Sequence, residues 1–556
     1  MPLLFDETIQ AARARHGIVG VSMAGYDGVI LGAGHNGLIL AAYLAKAGLK
    51  VLVVERRAAI GGGAATMEDP EHPGFLHNTH AFFQRAVTAM PWYADLELER
   101  HGLSYMEPEL NVALITGDGD ALEWWTDVER TVESFRAFSR HDAETLRRWR
   151  DEFVPIVTNI LAWEGRSPPL PKEKRRALLE GSAAGRRLLE VSALSPLEFV
   201  HKEFEHPTIK AGLLFFNGLR EVDLRLPGFG HHIAALLASP SKAQMSRGGT
   251  AALARALESA VREAGGAVQV LSEPSSIIVE GGPAAGIETR LGETIRASFV
   301  ASSLNPHQTF LDLLDPAHIP AEARRRVEAF EYNLLAPLFA LNLNLREPPL
   351  YEAQKRHPEL ARAFMVVLGL DHVDQFSEIV RHHEHGTIPP TVMWGACPTV
   401  FDASQAPSGR HTAFMWEKLP YRLGGDPQGW DGARHEHGRE MLKLWTRYAP
   451  NLEGALISSF TRSPLDVERC LPNMRHGDLL VGAFSNGQIG HDRPFPGAGE
   501  YRTLIPGLYL CGSSSHPGGN ITGLPGYNAA QVILADLGLP ADWAPASFAE
   551  RLARLP

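Results

Sequence analysis

The chain has 556 residues, of which 44% are hydrophobic and 21% are charged, and its formal net charge is -11 at pH 7. This length exceeds one ordinary domain, and the composition is that of a globular protein with large cores, so two domains are expected. The acidic balance argues against nucleic acid as the main partner, because binding to phosphate backbones requires clustered Lys and Arg. Small molecules are therefore the expected ligands.

Cysteine usage points to a reducing compartment. The chain contains three cysteines, Cys397, Cys470 and Cys511, an odd number at widely separated positions that does not suit a disulfide framework. No C-x-x-C pair occurs. Because two neighbouring thiols are needed to pass electrons through a mixed disulfide, the sequence excludes a dithiol reductase mechanism.

The first 23 residues are interpreted as an N-terminal extension without chemistry. They carry Asp6 and Glu7 and no apolar run of secretory length, so a cytoplasmic protein is expected. No window approaches about 18 uninterrupted apolar residues, which argues against a transmembrane span. The basic, leucine-containing stretch 172–191 is interpreted as a surface helix, and it leaves peripheral contact with a membrane open.

The stretch YDGVILGAGHNGLILAAYLAKAGLKVLVVERR, residues 26–57, predicts a strand, a glycine turn, a helix and a second strand. Gly32, Gly34 and Gly37 match G-x-G-x-x-G. The first glycine permits the tight turn, the second lets a pyrophosphate approach the backbone, and the third allows close helix packing. Glu55 ends the second strand where it can accept hydrogen bonds from a ribose, so the unit predicts a dinucleotide site whose phosphate meets the helix N-terminus.

The residues after Glu55 distinguish between dinucleotides. ERRAAIGGGAAT places Arg57 and a second glycine cluster, Gly61, Gly62 and Gly63, directly behind the acid. This run resembles the E-x-R-x-x-x-G-G signature of the FAD-dependent amine oxidase and phytoene desaturase superfamily. The resemblance implies that Arg57 and the glycines contact the adenosine and pyrophosphate of FAD. A guanidinium supplies positive charge beside two phosphates, and glycines let the chain pass close to the cofactor.

A second FAD segment is predicted near the end of the chain. PGLYLCGSSSHPGGNITGLPGYNAAQVILADLG, residues 506–538, again indicates a strand, a glycine-rich turn and a helix. It is similar to the carboxyl-terminal flavin segment of phytoene dehydrogenase-like proteins, a branch with mammalian members, in which the helix N-terminus points at the isoalloxazine. A partial positive charge there stabilises an anionic reduced flavin. The matching positions are Gly512, Ser513, Ile521, Thr522 and Gly523.

The segment 247–306 resembles the middle part of such FAD domains, and its pattern predicts a helix, a strand, a β-hairpin and a further strand. It departs from the family pattern at Pro274, where a valine usually presents its backbone N–H to the adenine. Proline has no N–H to donate. The adenine contact is therefore expected at Ser275 or in a shifted register.

Together these segments predict an α/β protein with a discontinuous Rossmann-type FAD-binding domain and a mixed α+β substrate domain. The FAD-binding domain is expected over 24–100, 240–305 and 480–540. The substrate or cap domain is expected over 101–239 and 306–479, and residues 541–556 are expected to form a carboxyl-terminal tail.

Other polar stretches have ordinary structural interpretations. Residues 124–153 combine charged and apolar residues at helical spacing and predict a solvated cap helix. RHHEHGTIPP, residues 381–390, lacks a metal-ligand spacing and is interpreted as a loop, so no metal is expected. GFGHH, residues 228–232, lacks a third glycine and a preceding strand, which argues against a second nucleotide site.

The candidates for proton transfer are histidines near the predicted flavin segments. His77 and His80 follow the second glycine cluster, and His516 lies in the H-P-G-G run. His80 and His516 are the candidate catalytic bases. Packing or hydrogen bonding to the flavin is nevertheless the favoured interpretation for each of the three.

The resemblance implies an FAD-dependent oxidoreductase, a desaturase or dehydrogenase that moves hydride from a C–H of an apolar or alicyclic small molecule to flavin N5. Because the single Rossmann signature is already used by FAD, reoxidation by dioxygen or a quinone is expected. Two alternatives stay open. One is an amine oxidase, in which Tyr527 would contribute to an aromatic cage, and the other is a flavoprotein with a non-redox isomerase or binding role. Formation of a homo-oligomer is also left open.

Overall fold

The computed structural model describes residues 25–217, 222–239 and 243–555. The N-terminal extension predicted over 1–23 lies outside the described residues and stays a prediction.

The strands are β1 (Tyr26–Leu31), β2 (Val51–Val54), β3 (Thr66–Glu68), β4 (Leu76–Asn78), β5 (Gln84–Arg85), β6 (Tyr105–Met106), β7 (Leu110–Ile115), β8 (Ala121–Trp125), β9 (Ala243–Ser246), β10 (Ala267–Gln269), β11 (Pro274–Val279), β12 (Ala284–Thr289), β13 (Thr294–Ser302), β14 (Leu338–Leu345), β15 (Met365–Leu368), β16 (Met393–Ala396), β17 (His411–Lys418), β18 (Leu456–Arg462) and β19 (Leu508–Leu510). The α-helices are α1 (His35–Lys46), α2 (Pro91–Asp95), α3 (Val128–Phe138), α4 (Arg140–Ile156), α5 (Ala162–Gly165), α6 (Lys172–Glu180), α7 (Ala183–Ser192), α8 (Pro196–Glu203), α9 (Pro207–Asn217), α10 (His231–Ala238), α11 (Ala251–Glu263), α12 (Ala321–Glu328), α13 (Gln375–His385), α14 (Gly429–Tyr448), α15 (Leu452–Ala455), α16 (Pro464–Cys470), α17 (Leu524–Asp536) and α18 (Phe548–Ala553).

The first sheet is built around the glycine turn. Its strand order is β10-β2-β1-β13-β12-β11, with β19 paired to β13, and β1 runs parallel to both β2 and β13. β2 and the second half of β1 are fully buried, as expected for parallel strands that are covered on both faces. On one face, buried residues of α1, α11 and α17 form one apolar cluster with these strands. This arrangement confirms the predicted α/β, Rossmann-type fold.

The middle segment has the predicted order of elements. Helix α11 leads into β10, β11 pairs antiparallel with β12, and β12 pairs antiparallel with β13. The strands of the first sheet lie in the three segments predicted for the FAD-binding domain, and those of the second sheet lie in the two segments predicted for the substrate domain. The domain boundaries themselves stay a prediction.

The second sheet has the order β18-β14-β17-β16-β15-β7-β8 and is antiparallel except where β15 meets β7. One face of this sheet, with Trp394 and Trp416, packs against helices of the 128–238 region, which contribute Trp149 and Phe199. Together they form the largest apolar cluster. The other face packs against α14, which buries Trp430 and Trp445. Tryptophans therefore anchor both faces of this sheet.

The interpretation of 124–153 as one solvated helix is wrong. The stretch begins at the end of β8, where Trp124 and Trp125 are buried, and continues as two helices, α3 and α4. The break lies at Ser139, whose backbone is extended and whose hydroxyl caps α4 by accepting the N–H of Asp142. A serine capping signal inside the charged run therefore outweighs the continuous helical spacing.

The interpretation of 381–390 as a loop is wrong for residues 381–385, whereas residues 386–390 lie outside helices and strands as predicted. Residues up to His385 belong to α13, which starts upstream at Gln375 and ends at Gly386 in the left-handed region, with φ of 66°. Phe376, Ile379 and His383 lie on its buried face. Their helical spacing is visible only when the window begins before the histidine run.

Two further stretches pack more closely than the sequence predicts. Residues 172–191 lie in α6 and α7, and their leucines at 179 and 188 are buried in the largest apolar cluster. In the predicted tail, α18 buries Phe548 and Leu552 in the same cluster. The leucines of both stretches and Phe548 therefore face the protein core.

Candidate functional site

A cavity of about 260 Å³ is lined by residues from both sheets. On one side lie the ends of β1 and β2 with the turns that follow them, and on the other lie side chains of β16 and β17. The carboxyl ends of parallel strands are the usual ligand-binding edge of such sheets, because the turns there leave a crevice lined by backbone N–H groups. The cavity is therefore the candidate functional site.

The glycine turn closes one end of the cavity. Gly32 and Gly34 line it, whereas Gly37 lies behind the turn. A Cβ added at Gly37 would lie 2.2 Å from the carbonyl oxygen of Gly32, so only glycine permits this approach of α1 to the strand. A Cβ at Gly34 would meet nothing within 4 Å, because this position borders open space. The first turn of α1 has no side-chain cap, which leaves its N–H groups available for an anion.

Glu55 and Arg57 line the cavity beside this turn. The Glu55 carboxylate accepts the backbone N–H of Ala33 at 3.1 Å through Oε2 and that of Arg57 at 3.0 Å through Oε1. The Arg57 side chain donates through Nη2 to the carbonyl of Gly62 at 3.4 Å. Its Nε is buried without a hydrogen bond, and the nearest Glu55 oxygen lies 3.6 Å away. An anion beside Arg57 would satisfy this donor.

The second glycine cluster is packed against the first. The Gly61 N–H donates to the carbonyl of Ala33 at 2.8 Å, and Gly61 bridges to Gly34. Gly61 has φ of 105°, a conformation that only glycine adopts without strain. Gly62 and Gly63 line the cavity and Gly61 does not. The structure thus brings together the two glycine motifs that the sequence predicts to flank the pyrophosphate.

The carboxyl-terminal segment contributes Ser513 and Ile521 to the cavity. Three other predicted positions lie behind this lining. Gly512 packs on the carbonyl of Ser303, the Thr522 carbonyl accepts the indole N–H of Trp92 at 2.7 Å, and Gly523 precedes α17 with φ of 68°. These three residues hold the segment in position, and Ser513 and Ile521 beside them line the cavity.

In the middle segment the structure places Pro274, not Ser275, on the cavity. β11 begins at Pro274, which pairs with Thr289, and the register shifts before Ser276. The irregularity in the pairing of β11 with β12 lies at Ser275 itself. The role of Ser275 in adenine binding stays a prediction.

Of the candidate histidines, His80 lines the cavity. Its Nε2 accepts from Arg462 Nη2 at 3.4 Å, and therefore its Nδ1 carries the proton and donates to Thr79 Oγ1 at 2.8 Å. Burial, with further contributions from Arg462 and Arg57, holds the pKa of His80 well below the ordinary value. The ring is thus neutral near pH 7, and both nitrogens are engaged.

His77 and His516 are absent from the cavity lining. His77 is buried and pairs through Nε2 with Asn344 Oδ1 at 2.8 Å. His516 donates through Nε2 to the carbonyl of Glu164 at 3.0 Å. Burial lowers the pKa of both histidines. These contacts give each ring a structural partner on another segment.

A wall of aromatic side chains lines the cavity and was not predicted from the sequence. It consists of Phe82, Phe83, Trp394 and Trp416, with Lys418 at its edge. Trp394 and Trp416 are register partners on β16 and β17, and their ring centroids lie 6.1 Å apart. Strand alternation puts Trp416 and Lys418 on the same face. For Trp394 and Trp416 that alternation is the signal available, because their strands are distant in sequence from every cofactor motif, whereas Phe82 and Phe83 directly follow His80.

The residues present fit FAD. An uncapped helix N-terminus, a glycine bordering open space and a guanidinium with an unsatisfied buried Nε together match a dinucleotide phosphate. Glu55 retains acceptor capacity for a ribose hydroxyl, because each carboxylate oxygen accepts more than one hydrogen bond.

Three other properties bear on the chemistry. Cys397, Cys470 and Cys511 are all free thiols. Within the ranges that the structure describes, there is no cluster of three or more His, Cys, Asp or Glu able to hold a metal ion. In the same ranges, no helix is both long enough and apolar enough to cross a membrane.

Comparison with known proteins supports these features. The model of the NAD(P)-binding Rossmann-like domain matches residues 30–94. The chain is 31% identical to a component of the limonene dehydrogenase of Castellaniella defragrans, over 93% of this chain and 96% of that protein. It is 27% identical to pyridine nucleotide-disulfide oxidoreductase domain-containing protein 2 of Rattus norvegicus, over 94% and 96%. It is 24% identical to the lycopene-forming phytoene desaturase of a Paracoccus species, over 93% and 99%.

Among solved structures, the chain resembles cyclohexylamine oxidase from Brevibacterium oxydans, with a TM-score of 0.57 and 15% identity. The match covers 92% of this chain and 100% of the other. At this identity the likeness concerns the fold alone.

Proposed function

The chain belongs to the FAD-dependent amine oxidase and phytoene desaturase superfamily, and from this membership we propose that it is a desaturase or dehydrogenase of apolar or alicyclic small molecules. It is an oxidoreductase whose cofactor is FAD. The observation that carries the proposal is the aromatic wall of Phe82, Phe83, Trp394 and Trp416 in the same cavity as the glycine turn. Such a wall favours a hydrocarbon ring or chain over a charged substrate.

A relative's substrate supports the same class. Limonene, the compound in the name of the 31% identical relative, is a cyclic hydrocarbon without an ionisable group. The aromatic wall offers a substrate of this kind contact area and few hydrogen bonds. The proposed reaction removes a hydride from one carbon and a proton from its neighbour, and the electron pair of the C–H bond that loses the proton forms the carbon–carbon double bond.

Each part of the cavity has a proposed task. Bound FAD would supply a hydride acceptor. Gly34 and the N–H groups of α1 bind the pyrophosphate, Glu55 binds the ribose, and Arg57 compensates phosphate charge. The aromatic wall orients the substrate and excludes water. His80 stays the predicted proton acceptor and is unprotonated near pH 7, but its Nε2 lone pair accepts from Arg462, so it takes up a proton only after that contact breaks.

Dioxygen or a quinone is proposed as the electron acceptor. The chain carries one Rossmann glycine signature, and the FAD site uses it. A second nucleotide would need its own phosphate-binding turn.

An amine oxidase is less well supported. The predicted contribution of Tyr527 to an aromatic cage is wrong, because its ring is buried against Tyr43 and Trp543 and is absent from the cavity lining. A redox role and an isomerase role differ in whether the substrate bleaches the flavin.

The test is an anaerobic titration of the purified protein followed by its visible spectrum. The panel consists of a cyclic monoterpene hydrocarbon, a polyene, a cyclic ketone or carboxylate, and a primary amine. Bleaching of the flavin band by a hydrocarbon is expected. Bleaching by amines alone would replace the proposal with an amine oxidase, and a flavin that converts a polyene isomer without net bleaching would favour the isomerase role. Protein without a flavin band would contradict the cofactor assignment.

A further inference from the structure

His516 lies outside the cavity lining, and its partner points to a role other than proton transfer. Its Nε2–H donates to the carbonyl of Glu164, a residue 352 positions away in the chain. Glu164 lies in α5, the last turns of a helical run that starts with α4 and passes through a π-helical turn at Val157–Leu161. His516 thus joins the flavin segment to the end of a cap helix.

The sequence explains why this helix end needs partners from elsewhere. The last carbonyls of a helix lack intrahelical donors, and each would normally meet the N–H four residues on. For Glu164 and Gly165 those positions are Pro168 and Pro169, which have no N–H. The Glu164 carbonyl accepts the N–H of Ser167, three residues on, at 3.3 Å, and any further donor to these carbonyls must come from another segment.

Side chains of α17 supply the remaining donors. Asn528 Nδ2 donates to the carbonyl of Gly165 at 2.9 Å and lies 3.3 Å from that of Ser167. Gln531 Nε2 donates to the carbonyl of Arg166 at 3.0 Å. Together with His516, these two residues reach four consecutive carbonyls. We name the set of His516, Asn528 and Gln531 the latch.

The latch is connected to the cofactor side. The Tyr501 hydroxyl donates to the carbonyl of His516 at 2.7 Å, and Asn528 Nδ2 donates to the Tyr501 oxygen at 3.0 Å. His516 lies in the same loop as Ser513 and Ile521, both of which line the cavity. Asn528 is fully buried, so no water replaces a partner that its side chain loses, whereas Gln531 is half-buried.

The other side of the latch leads to the substrate wall. Trp149 and Phe153 of α4 and Ile160 of the π-helical turn belong to the same apolar cluster as Phe82 and Trp416. Because this cluster is close-packed, a shift of the helix end is expected to change the packing of side chains behind the aromatic wall.

We propose that His516, Asn528 and Gln531 are positioning residues that hold the carboxyl end of the cap helix in register with the cofactor loop, so that binding of FAD and docking of the helix stabilise each other. The proposal rests on the proposed cofactor site. By linkage, an ordered loop favours the docked helix and a docked helix raises the affinity for FAD by the same factor.

The segment beyond the latch contains a built-in reporter. Trypsin cleaves after Lys and Arg, and Lys172, Lys174 and Arg176 are exposed in α6, shortly after Ser167. Trypsin cuts an unfolded backbone, and local opening of the helix end is expected to unfold this segment. The cleavage rate then follows the population of the opened state. The measured quantity is the ratio of cleavage rates without and with FAD, with the sites identified by mass spectrometry.

The experiment compares full-length wild type with Gln531→Leu and His516→Leu, which remove one donor each. His516→Gln keeps an N–H donor at a similar distance and should rescue the wild-type ratio. Arg551→Leu is the matched control. It removes a contact of 3.3 Å to Asn159 and the stacking on Trp163, which hold the same helix but do not involve the cofactor loop.

In wild type, FAD is expected to slow cleavage. Each Leu variant should lower that protection about 5-fold and raise the Kd for FAD by the same factor, as for the loss of one hydrogen bond. Arg551→Leu should speed cleavage with and without FAD alike. Equal protection ratios in wild type and both Leu variants, with normal flavin absorption, would overturn the latch alone. Absence of flavin binding in wild type would overturn the cofactor site and the latch with it.

Discussion

The two sides of the cavity, one proposed for the cofactor and one proposed for the substrate, are built in different ways. The cofactor side is formed largely by backbone, with Gly32, Gly34 and Gly62 placed where a side chain would clash or fill the space. The substrate side is formed by large side chains on strands of the second sheet, among them Trp394 and Trp416. A backbone site tolerates almost no substitution, whereas a side-chain wall can be reshaped one residue at a time. Such a wall therefore allows different substrates on one cofactor platform.

The strongest test of this contrast is Gly37→Ala. The added Cβ would lie 2.2 Å from the Gly32 carbonyl oxygen, and neither the helix nor the strand can move away without breaking the turn. A loss of roughly 3 kcal/mol or more in the free energy of unfolding is expected. Chemical denaturation followed by circular dichroism measures it. An unchanged midpoint would show that the turn adapts, and that the cofactor side is less rigid than the structure indicates.

Gly34→Ala separates the site from the fold. Gly34 has φ of -72° and ψ of 167°, which alanine adopts without strain, and the new Cβ meets no protein atom within 4 Å. We expect unchanged stability of the protein without FAD. The Kd for FAD should rise roughly 10- to 100-fold, because the methyl group enters the space proposed for the pyrophosphate. Fluorescence titration with FAD measures it, and wild-type affinity would move the pyrophosphate away from this turn.

On the substrate side, Trp416→Phe should leave the flavin spectrum unchanged. The rate of flavin bleaching by a hydrocarbon substrate should fall roughly 10-fold, since a smaller ring loses contact area in the wall. Trp430→Phe is the matched control, because Trp430 is also buried, packs on the opposite face of the sheet and is absent from the lining. Stopped-flow spectroscopy compares the two. Equal bleaching rates in both variants would remove Trp416 from the substrate site.

The smallest expected effect concerns pH and compares one buried histidine on each side. Burial lowers the pKa of His35, on the cofactor side, and of His383, under the second sheet, to about 4. A folded-state pKa below the unfolded value of 6.5 stabilises the fold fully above pH 6.5, and this stability is lost as the pH falls toward 4.

The Tm should therefore decrease between pH 6.5 and pH 4. In His383→Asn, the side-chain amide can still donate to the Leu334 carbonyl, which His383 Nδ1 meets at 2.9 Å. This variant should lose roughly 2–4 °C less than wild type over the same range. Differential scanning fluorimetry at several pH values measures it. Parallel curves for the two proteins would assign the acid sensitivity to other groups.

The predictions from sequence succeeded where a motif is local. Gly32, Gly34, Glu55 and Arg57 fall within one strand-turn-helix-strand unit, and the structure places all four on the cavity. The ends of helices were predicted less well. The break at Ser139 depends on a capping hydrogen bond, and the start of α13 at Gln375 is recognised only when buried residues upstream of the histidine run are included. The roles of the four cavity residues in cofactor binding stay predictions until FAD affinity is measured.

The sequence by itself determined the fold class, because a dinucleotide turn depends on backbone conformations that particular residues at fixed spacing must allow. The assignment of FAD came from the resemblance of the residues after Glu55 and of the carboxyl-terminal segment to one superfamily. The tertiary structure alone decided the aromatic wall, the displacement of Ser275 from the cavity and the partner of His516. The wall and the latch depend on strands or loops that meet across hundreds of residues, as His516 and Glu164 do across 352, and Ser275 depends on the register between β11 and β12. The spacing of residues within one segment does not predict such contacts, because they form when whole sheets and helices pack together.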